Sequence, residues 1–212
     1  MSTSKFEIDN VKSLTISQCV QKRLFDVIFS ICGIVIFFII IFIAWIVASI
    51  DTKSNGFFCQ TRIGRNGKKF TMYKIKTMIN SDTNNTSVTT RNDPRITKIG
   101  GFFRRTKIDE LPQLWNVFTG KMSVVGPRPD VSGFADKLMG VESLILTIRP
   151  GITGPAAIKY RHEEALLADK LNPNKYNREV IWPDKIAVNL EYIHNWSLLL
   201  DIKYIFITVL KK

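Results

Sequence analysis

Hydrophobic residues dominate one stretch of the chain, from Val27 to Ile50. Its 24 residues carry no formal charge, and 17 of them are Ile, Phe or Val. At about −0.3 to −0.6 kcal/mol for each such residue, insertion into a bilayer is favoured by roughly 5 to 10 kcal/mol. As a helix the stretch would be about 36 Å long, against about 30 Å for the hydrocarbon layer. The pattern predicts a membrane-embedded helix over residues 22–50, with Lys22 and Arg23 at its start.

Two other readings of this stretch are weaker. It is too long, and starts too late, for the apolar part of a cleavable signal peptide. The remaining residues could hardly wrap a fully buried core helix of this length. Two topologies remain open: the helix crosses the bilayer and leaves the N-terminus outside, or it dips in and returns. We favour the second, a re-entrant helix.

Downstream, shorter periodic patterns alternate with turn signals. Two β-leaning runs flank an Asn-Gly pair, the strongest short hairpin signal. Apolar residues at helical spacing follow, separated by Pro and Gly. The fold class is therefore mostly α with a small β-hairpin. We predict a polar segment over residues 1–21, the membrane helix and then a compact domain over residues 51–212. Within that domain we expect strands Phe57–Ile63 and Lys69–Ile75, an exposed loop Ser81–Asn92, and helices over Glu110–Phe118, Gly133–Ile148 and Glu163–Leu171. The long segment Lys185–Leu210 is apolar on one side, and this stripe is expected to belong to the core rather than to a ligand site.

The charge of the chain is concentrated in one region. Lys and Arg number 30 against 18 Asp and Glu, for a net charge of +12. Residues 51–128 hold fifteen basic and five acidic groups, so +10 of the excess lies there. The positive-inside rule places this region on the cytoplasmic face. Its charge suits the phosphate of a lipid, a nucleotide or a nucleic acid. Three scattered cysteines and two histidines argue against a disulfide scaffold, structural zinc or a His-rich metal centre.

The candidate chemistry lies at Asp109-Glu110. Side chains of adjacent helical residues point about 100° apart, so the two carboxylates would divide the work rather than act as equals. One would attack or take a proton, and the other would hold a metal or orient its neighbour. The competing interpretation is structural: Asp109 as the N-cap of the next helix, with Glu110 in its first turn. The two are compatible, because a helix N-terminus keeps a carboxylate ionised and attracts phosphate.

Cations surround this pair in the sequence. An anionic nucleophile attacks phosphorus only where positive charge offsets the repulsion. Arg128 stands out because Pro127 and Pro129 hold it in a stiff turn, which suggests a side chain that is aimed. For any single cation the alternative is a solvated basic surface. The expected phosphate-binding or nucleotide-binding residues are Lys74, Lys76, Arg104, Arg105, Arg128 and Arg149.

These motifs resemble those of a known family. Asp-Glu-Leu-Pro-Gln-Leu-Trp-Asn-Val (109–117) and Met-Ser-Val-Val-Gly-Pro-Arg-Pro (122–129) are similar to the signature of the bacterial sugar transferases, the monotopic phosphoglycosyl transferases. The likeness runs in order from about residue 22 to 210. It includes Lys22-Arg-Leu-Phe-Asp26, Arg-Ile-Gly-Arg-Asn-Gly (62–67), Arg149-Pro-Gly-Ile-Thr-Gly154, Glu191-Tyr, Trp196-Ser and Asp201.

The resemblance implies a reaction and its participants. A sugar-1-phosphate moves from a UDP-sugar to polyprenyl phosphate, UMP is released, and Mg²⁺ is required. Carried over to this chain, Asp109 is the nucleophile that forms a phosphosugar ester, and Glu110 binds the metal. The location implied is the bacterial inner membrane, with the catalytic domain facing the cytoplasm. We expect no nucleic-acid partner, and the sequence leaves a homo-oligomer open.

The chain departs from the family pattern at several positions. Members usually carry Ser-Pro in the middle of the apolar run, where this chain has Phe38-Ile39. Lys76 stands where an arginine is usual, and an Arg-to-Lys change loses a bidentate phosphate contact. Asn189 stands where an aspartate is common. The alternative to an enzyme is a membrane-anchored basic protein that binds anionic lipid or nucleic acid. Asp109→Asn separates the two, because a purely electrostatic binder would not respond to it.

Overall fold

The computed structural model describes residues 11–79, 93–168 and 170–210, and the predicted loop Ser81–Asn92 lies outside them. Helices dominate, and strands form two small pairs. In chain order the elements are α1 (Ile16–Thr52), β1 (Phe57–Ile63), β2 (Lys69–Ile75), α2 (Lys98–Thr106), α3 (Gln113–Phe118), β3 (Ser123–Val125), β4 (Gly151–Thr153), α4 (Pro155–Lys159), α5 (Glu163–Ala168), α6 (Pro173–Tyr176), α7 (Trp182–His194) and α8 (Leu198–Leu210).

Helix α1 begins before the apolar run and ends just after it. Thr15 caps its N-terminus in a reciprocal capping box with Gln18, and Lys53 ends it in the left-handed conformation. It is one uninterrupted helix of 37 residues, about 55 Å long, and it passes through Phe38-Ile39 without a break. It is long and apolar enough to be a membrane helix.

The hairpin prediction is confirmed to the residue. β1 and β2 pair antiparallel from Phe57 opposite Ile75 to Ile63 opposite Lys69. In the turn, Asn66 (φ 56°) and Gly67 (φ 71°) both adopt positive φ, which Asn and Gly tolerate best. The hairpin carries Lys74 to the centre of the molecule.

A second strand pair was not predicted. β3 and β4 lie parallel, with Ser123 opposite Gly151 and Val125 opposite Thr153. Three-residue strands are too short to show an alternating pattern in sequence. Together they form the middle of a core that includes Val117, Val125 and Leu190.

Two expected elements differ in the structure. The helix predicted over Gly133–Ile148 is wrong, because this segment forms 3₁₀ turns at Ala135–Lys137 and Gly140–Thr147. Gly133 (φ 101°) and Gly140 (φ 57°) adopt conformations that interrupt a right-handed helix. The helix expected over Glu163–Leu171 is shorter, Glu163–Ala168. The segment Lys185–Leu210 lies in two helices, α7 and α8, with a break at Asn195 between them.

Both ends of α1 pack against the same body. In its first half, Lys22 forms a buried ion pair with Asp201 of α8 (Nζ to Oδ2 2.5 Å), and Asp26 accepts hydrogen bonds from Ser123 and from the Val124 amide, each 2.9 Å. In its second half, Ala44 and Ala48 are buried in a cluster with β2 and α2. Between these contacts, residues 35–40 are exposed.

Candidate active site

A cavity of about 930 Å³ lies between α1, the start of α3 and the C-terminal helices. Phe29, Gly33 and Phe37 of α1 form one wall, and most of the lining is apolar. Charged side chains also line it, among them Lys107, Glu110, Arg128 and Lys185. A pocket with an apolar wall beside a long apolar helix, and with charged groups in the rest of its lining, suits an amphiphilic ligand.

Asp109 and Glu110 lie in a 3₁₀ turn, Ile108–Glu110, that precedes α3. Lys107, immediately before it, has φ 62°, a left-handed conformation that is uncommon for a residue with a side chain. Asp109 is 7% exposed and lies between two residues of the cavity wall, Lys107 and Glu110. The turn therefore holds one carboxylate inside the protein and presents the next to the cavity.

The capping interpretation of Asp109 is wrong. The cap of α3 is Pro112, and no side chain caps that helix. One carboxylate oxygen of Asp109, Oδ1, is buried and accepts no hydrogen bond from any residue that the structure describes. Such an atom costs about 1–3 kcal/mol unless something else binds it. Asp109 is thus held in an unfavourable environment that no structural role explains.

Glu110 has the opposite surroundings. Lys74 donates a hydrogen bond to its Oε1 (2.9 Å), and Arg128 Nη2 lies 3.6 Å from the same oxygen. Burial alone would raise the pKa of Glu110, but Lys74, followed by Arg128 and Lys107, outweighs it and lowers the pKa to about 2. Glu110 is therefore a permanently ionised carboxylate at neutral pH.

The pKa of Asp109 moves the other way. Burial, and then the charge of Glu110, raise it to about 6, although Lys74, Lys107 and Arg104 pull it down. From the sequence, a helix N-terminus is expected to keep this carboxylate ionised. In the structure, the carboxyl group of Asp109 instead titrates near neutral pH. Neighbouring carboxylates with pKa values pushed apart mark a division of chemical roles.

Arg128 is aimed by the pairing of β3 with β4. Gly126 and Gly154 let the two backbones touch where the Val-Gly-Pro-Arg-Pro turn leaves β3: a Cβ on Gly126 would lie 2.5 Å from the Arg149 carbonyl oxygen, and one on Gly154 would lie 2.2 Å from that of Gly126. A side chain at either glycine would force the backbones apart. Pro127 and Pro129 then stiffen the turn that carries the arginine.

Asn116 positions the other cation, and nothing in the sequence distinguished it. Its side chain donates to the Thr71 carbonyl (2.7 Å) and accepts from the Tyr73 amide (3.1 Å), so α3 is bonded to the edge of β2. Asn116 is 1% exposed. This contact fixes β2, and with it Lys74, relative to Glu110. The signal that could have found it is a polar residue on the buried face of an amphipathic helix.

The remaining predicted cations do not converge on Glu110. Lys76 donates to Ser54 (2.7 Å) just after α1. Arg104 lies near Asp109 but contacts Met78, and Arg105 is exposed on α2. Arg149 donates to the Gly120 carbonyl (2.9 Å) and lies outside the cavity lining. The structure thus joins Lys74 and Arg128 of the predicted set to the carboxylate pair.

The carboxylate pair can supply the protein ligands of a magnesium site. Among the described residues, no group of three or more His, Cys, Asp or Glu could hold a metal ion. Magnesium in phosphate-transfer sites is usually held by one or two carboxylates, with water and substrate phosphate completing its shell. Asp109 Oδ1 has no other partner in the described fold, and Glu110 is ionised, so the donor set fits.

Comparison with known proteins identifies the family. The sequence profile described as bacterial sugar transferase matches residues 17–212, nearly the whole chain. The chain belongs to the bacterial sugar transferase family. The match covers α1, the hairpin, the carboxylate turn and both C-terminal helices.

Named relatives of this sugar transferase agree with the family. An undecaprenyl-phosphate glucose phosphotransferase of Komagataeibacter xylinus is 35% identical over 197 residues, covering 89% of this chain and 35% of the relative. A UDP-glucose:undecaprenyl-phosphate glucose-1-phosphate transferase of Escherichia coli K12 is 39% identical over 158 residues, covering 73% and 32%. The chain spans about a third of the length of these two. The exopolysaccharide production protein PSS of Rhizobium leguminosarum is 35% identical over 201 residues, covering 91% of this chain and 95% of its own.

Proposed function

We propose that this sugar transferase moves a sugar-1-phosphate from a UDP-sugar to polyprenyl phosphate and releases UMP. The observation that carries the proposal is the buried Asp109 carboxylate without a hydrogen-bond partner, beside an ionised Glu110 held by Lys74 and Arg128. Two relatives support the substrate class: one is named an undecaprenyl-phosphate glucose phosphotransferase, and the other a UDP-glucose:undecaprenyl-phosphate glucose-1-phosphate transferase. The assembly of an extracellular or surface glycan would begin with such a product.

In the first half-reaction, a carboxylate oxygen of Asp109 attacks the phosphorus that carries the sugar. The bond from that phosphorus to the bridging oxygen breaks, and UMP leaves with the bonding electrons. With a pKa of about 6, Asp109 is about 90% ionised at pH 7, so it is both available and more basic than an ordinary aspartate. Arg128 and Lys107 offset the negative charge of the diphosphate.

In the second half-reaction, a phosphate oxygen of the lipid attacks the same phosphorus and displaces Asp109. The products are a polyprenyl diphosphate sugar and the free carboxylate. The cavity lining includes an apolar wall from α1, with Phe29 and Phe37, and the charged side chains of Glu110 and Arg128. We assign the apolar wall to the prenyl chain and the charged part of the lining to the phosphates. A two-step route lets a water-soluble donor and a membrane-bound acceptor use one nucleophile in turn.

Glu110 would hold Mg²⁺, with water and substrate phosphate completing its shell. A bound Mg²⁺ would neutralise charge on the diphosphate and its leaving group. Glu110 is suited to the metal because Lys74 and Arg128 keep it ionised over the whole physiological range.

We further propose that α1 enters one leaflet of the bacterial inner membrane, with the catalytic domain facing the cytoplasm. Gly33 packs on Leu114 and Ala44 on the cluster around Phe103, so residues on both sides of the exposed middle touch one body. Because α1 is unbroken, both ends can stay on one face only if the helix lies along the membrane surface, with its exposed middle, residues 35–40, in one leaflet.

The test of this function is release of UMP by the detergent-purified protein. Wild type is incubated with polyprenyl phosphate, Mg²⁺ and a panel of UDP-sugars. We expect UMP from at least one donor, and a covalent phosphosugar on the peptide containing residue 109 when the acceptor is left out. Asp109→Asn should reduce turnover by at least a thousandfold.

The matched control is Asp136→Asn, a carboxylate in the 3₁₀ turn Ala135–Lys137, away from the cavity lining. It should keep the wild-type rate. Absence of UMP from every donor would overturn the proposal, and so would label on another peptide.

A further inference from the structure

One face of α7 forms a polar part of the cavity wall. Trp182, Lys185 and Asn189 line the cavity, and their spacing of three and four residues places them on the same side of the helix. Because Glu110 and Arg128 line the same cavity, this face looks onto the space in front of the catalytic turn.

Asn189 is the unusual member of this face. It is 6% exposed, and its Oδ1 is buried without a hydrogen-bond partner in the described part of the chain. A buried amide oxygen that forms no bond costs about 1–3 kcal/mol. Asn189 therefore contributes less to the stability of the fold than an apolar residue of the same shape would. This indicates that a ligand supplies the missing hydrogen-bond partner.

Two of the charged groups that line the cavity with Asn189 are paired with each other, Lys185 and Glu163. Lys185 donates to Glu163 (2.6 Å) and lies 5.5 Å from the centre of the Tyr160 ring. Asp130 follows Arg128 by two residues and also lines the cavity; burial raises its pKa to about 6 against the opposing effect of Lys185 and Arg62. This wall thus joins a carboxylate, a balanced ion pair, a neutral amide and an indole ring.

Such a wall suits a neutral, hydroxyl-rich or amide-like group. Phosphates are matched by the cations at the catalytic end, whereas hydroxyls and imides both donate and accept hydrogen bonds and pack on aromatic rings. A UDP-sugar carries two groups of this kind, the transferred sugar and the uracil ring.

We propose that Asn189 is a specificity-determining residue that accepts a hydrogen bond from a neutral donor group of the nucleotide sugar, in a subsite formed with Asp130 and Trp182. This inference rests on the proposed function. It makes α7 the element that selects the donor, while the turn at Asp109 performs the chemistry.

The test compares wild type with Asn189→Leu, which keeps the approximate shape, and with Asn189→Ala. The kinetics of UMP release are measured with UDP-glucose, UDP-galactose and UDP-N-acetylglucosamine, and UDP is used as a competitive inhibitor. Asn195→Ala, an exposed amide just past the end of α7, is the control. We expect kcat/KM for the preferred donor to fall about tenfold in both Asn189 variants, through KM, and to stay unchanged in the control.

Inhibition by UDP distinguishes a contact of Asn189 with the sugar from a contact with the uracil base. If the amide contacts the sugar, discrimination among donors narrows and inhibition by UDP is unchanged. If it contacts the base, all donors and UDP weaken by the same factor. KM values and UDP inhibition within twofold of wild type in both variants would overturn the inference, including the case in which kcat alone falls.

Thermal unfolding tests whether Asn189 acts only by stabilising the fold. Asn189→Leu should melt at or above the wild-type temperature, because it removes an unmatched buried amide. A lower melting temperature would overturn the premise that the amide has no partner in the fold. If wild type releases no UMP from any donor, the proposed function fails first, and calorimetric binding of UDP and of the three UDP-sugars to wild type and variants then decides the inference alone.

Discussion

At the scale of single residues, two adjacent carboxylates are made chemically different by their contacts. Glu110 faces Lys74 and Arg128, whereas Asp109 faces the protein interior and the charge of Glu110. This contrast raises the pKa of Asp109 to about 6 and lowers that of Glu110 to about 2. A nucleophile benefits from the higher basicity, and a metal ligand benefits from constant charge.

The pH dependence of the first half-reaction should report Asp109. A raised pKa means that the carboxylate becomes protonated, and so unreactive, as the pH falls below about 6. We expect the UMP burst rate, measured without acceptor lipid, to fall about tenfold per pH unit below 6 and to level off above 7. Leaving out the acceptor removes the ionisation of its phosphate from the profile. A flat profile between pH 5 and 8 would contradict the assignment.

The same shift predicts an effect on stability. The folded state disfavours the charged form of Asp109, so its unfavourable contribution is absent below about pH 4, grows as the pH rises from 4 to 6, and stays constant above 6 at about 3 kcal/mol. Asp109→Asn should therefore melt higher than wild type at pH 7.5, and the difference should disappear near pH 4. A variant less stable than wild type at pH 7.5 would show that the charge is stabilised in the fold.

At the scale of elements, the geometry of the candidate site depends on two joints, which are direct contacts between neighbouring elements. The close contact of β3 with β4 aims Arg128, and the bond between α3 and the edge of β2 holds Lys74 against Glu110. Each joint uses a residue without reactive chemistry: glycine in the first and Asn116 in the second. Their role is to set the distance between elements.

Asn116→Ala should loosen the second joint. It leaves the Thr71 carbonyl and the Tyr73 amide without their partner, at a cost of about 2–4 kcal/mol. Chemical or thermal unfolding should show this loss, and the pKa of Glu110 should rise as Lys74 moves away. Lys121→Ala, an exposed change just past the same helix, should be within about 0.5 kcal/mol of wild type. Equal stability of the two variants would refute the role of Asn116.

At the scale of the whole molecule, α1 is both a membrane element and part of the core. Its first half is joined to α8 through the Lys22–Asp201 pair, which Tyr192 and Trp196 also contact. Its second half packs beside Ile108, next to the catalytic turn. Membrane insertion and site geometry are therefore coupled through one helix.

This arrangement predicts that both ends of α1 lie on the same side of the membrane. In a background with Cys19 and Cys32 changed to serine, a cysteine at exposed Ser17 and the native exposed Cys59 report the two ends. A membrane-impermeant maleimide should label neither in intact spheroplasts and both after lysis. Labelling of Ser17→Cys alone in intact spheroplasts would show that α1 crosses the bilayer.

Local patterns in the sequence determined the elements whose cause is local. The uncharged apolar run predicts α1, the Asn-Gly turn predicts the hairpin to the residue, and the Asp109-Glu110 motif carries the family resemblance. Each rests on residues within a few positions of one another. The prediction of a helix over Gly133–Ile148 was wrong, because Gly133 and Gly140 adopt positive φ and interrupt the helix that the apolar pattern favours.

The tertiary structure alone decided how these parts act together. Lys74 meets Glu110 across 36 positions, Asp26 meets Val124 across 98, and Lys22 meets Asp201 across 179. Burial of Asp109 and the missing partner of Asn189 also depend on such distant contacts. A pKa or an unmatched hydrogen bond is a property of surroundings assembled by folding, so no pattern in nearby residues encodes it.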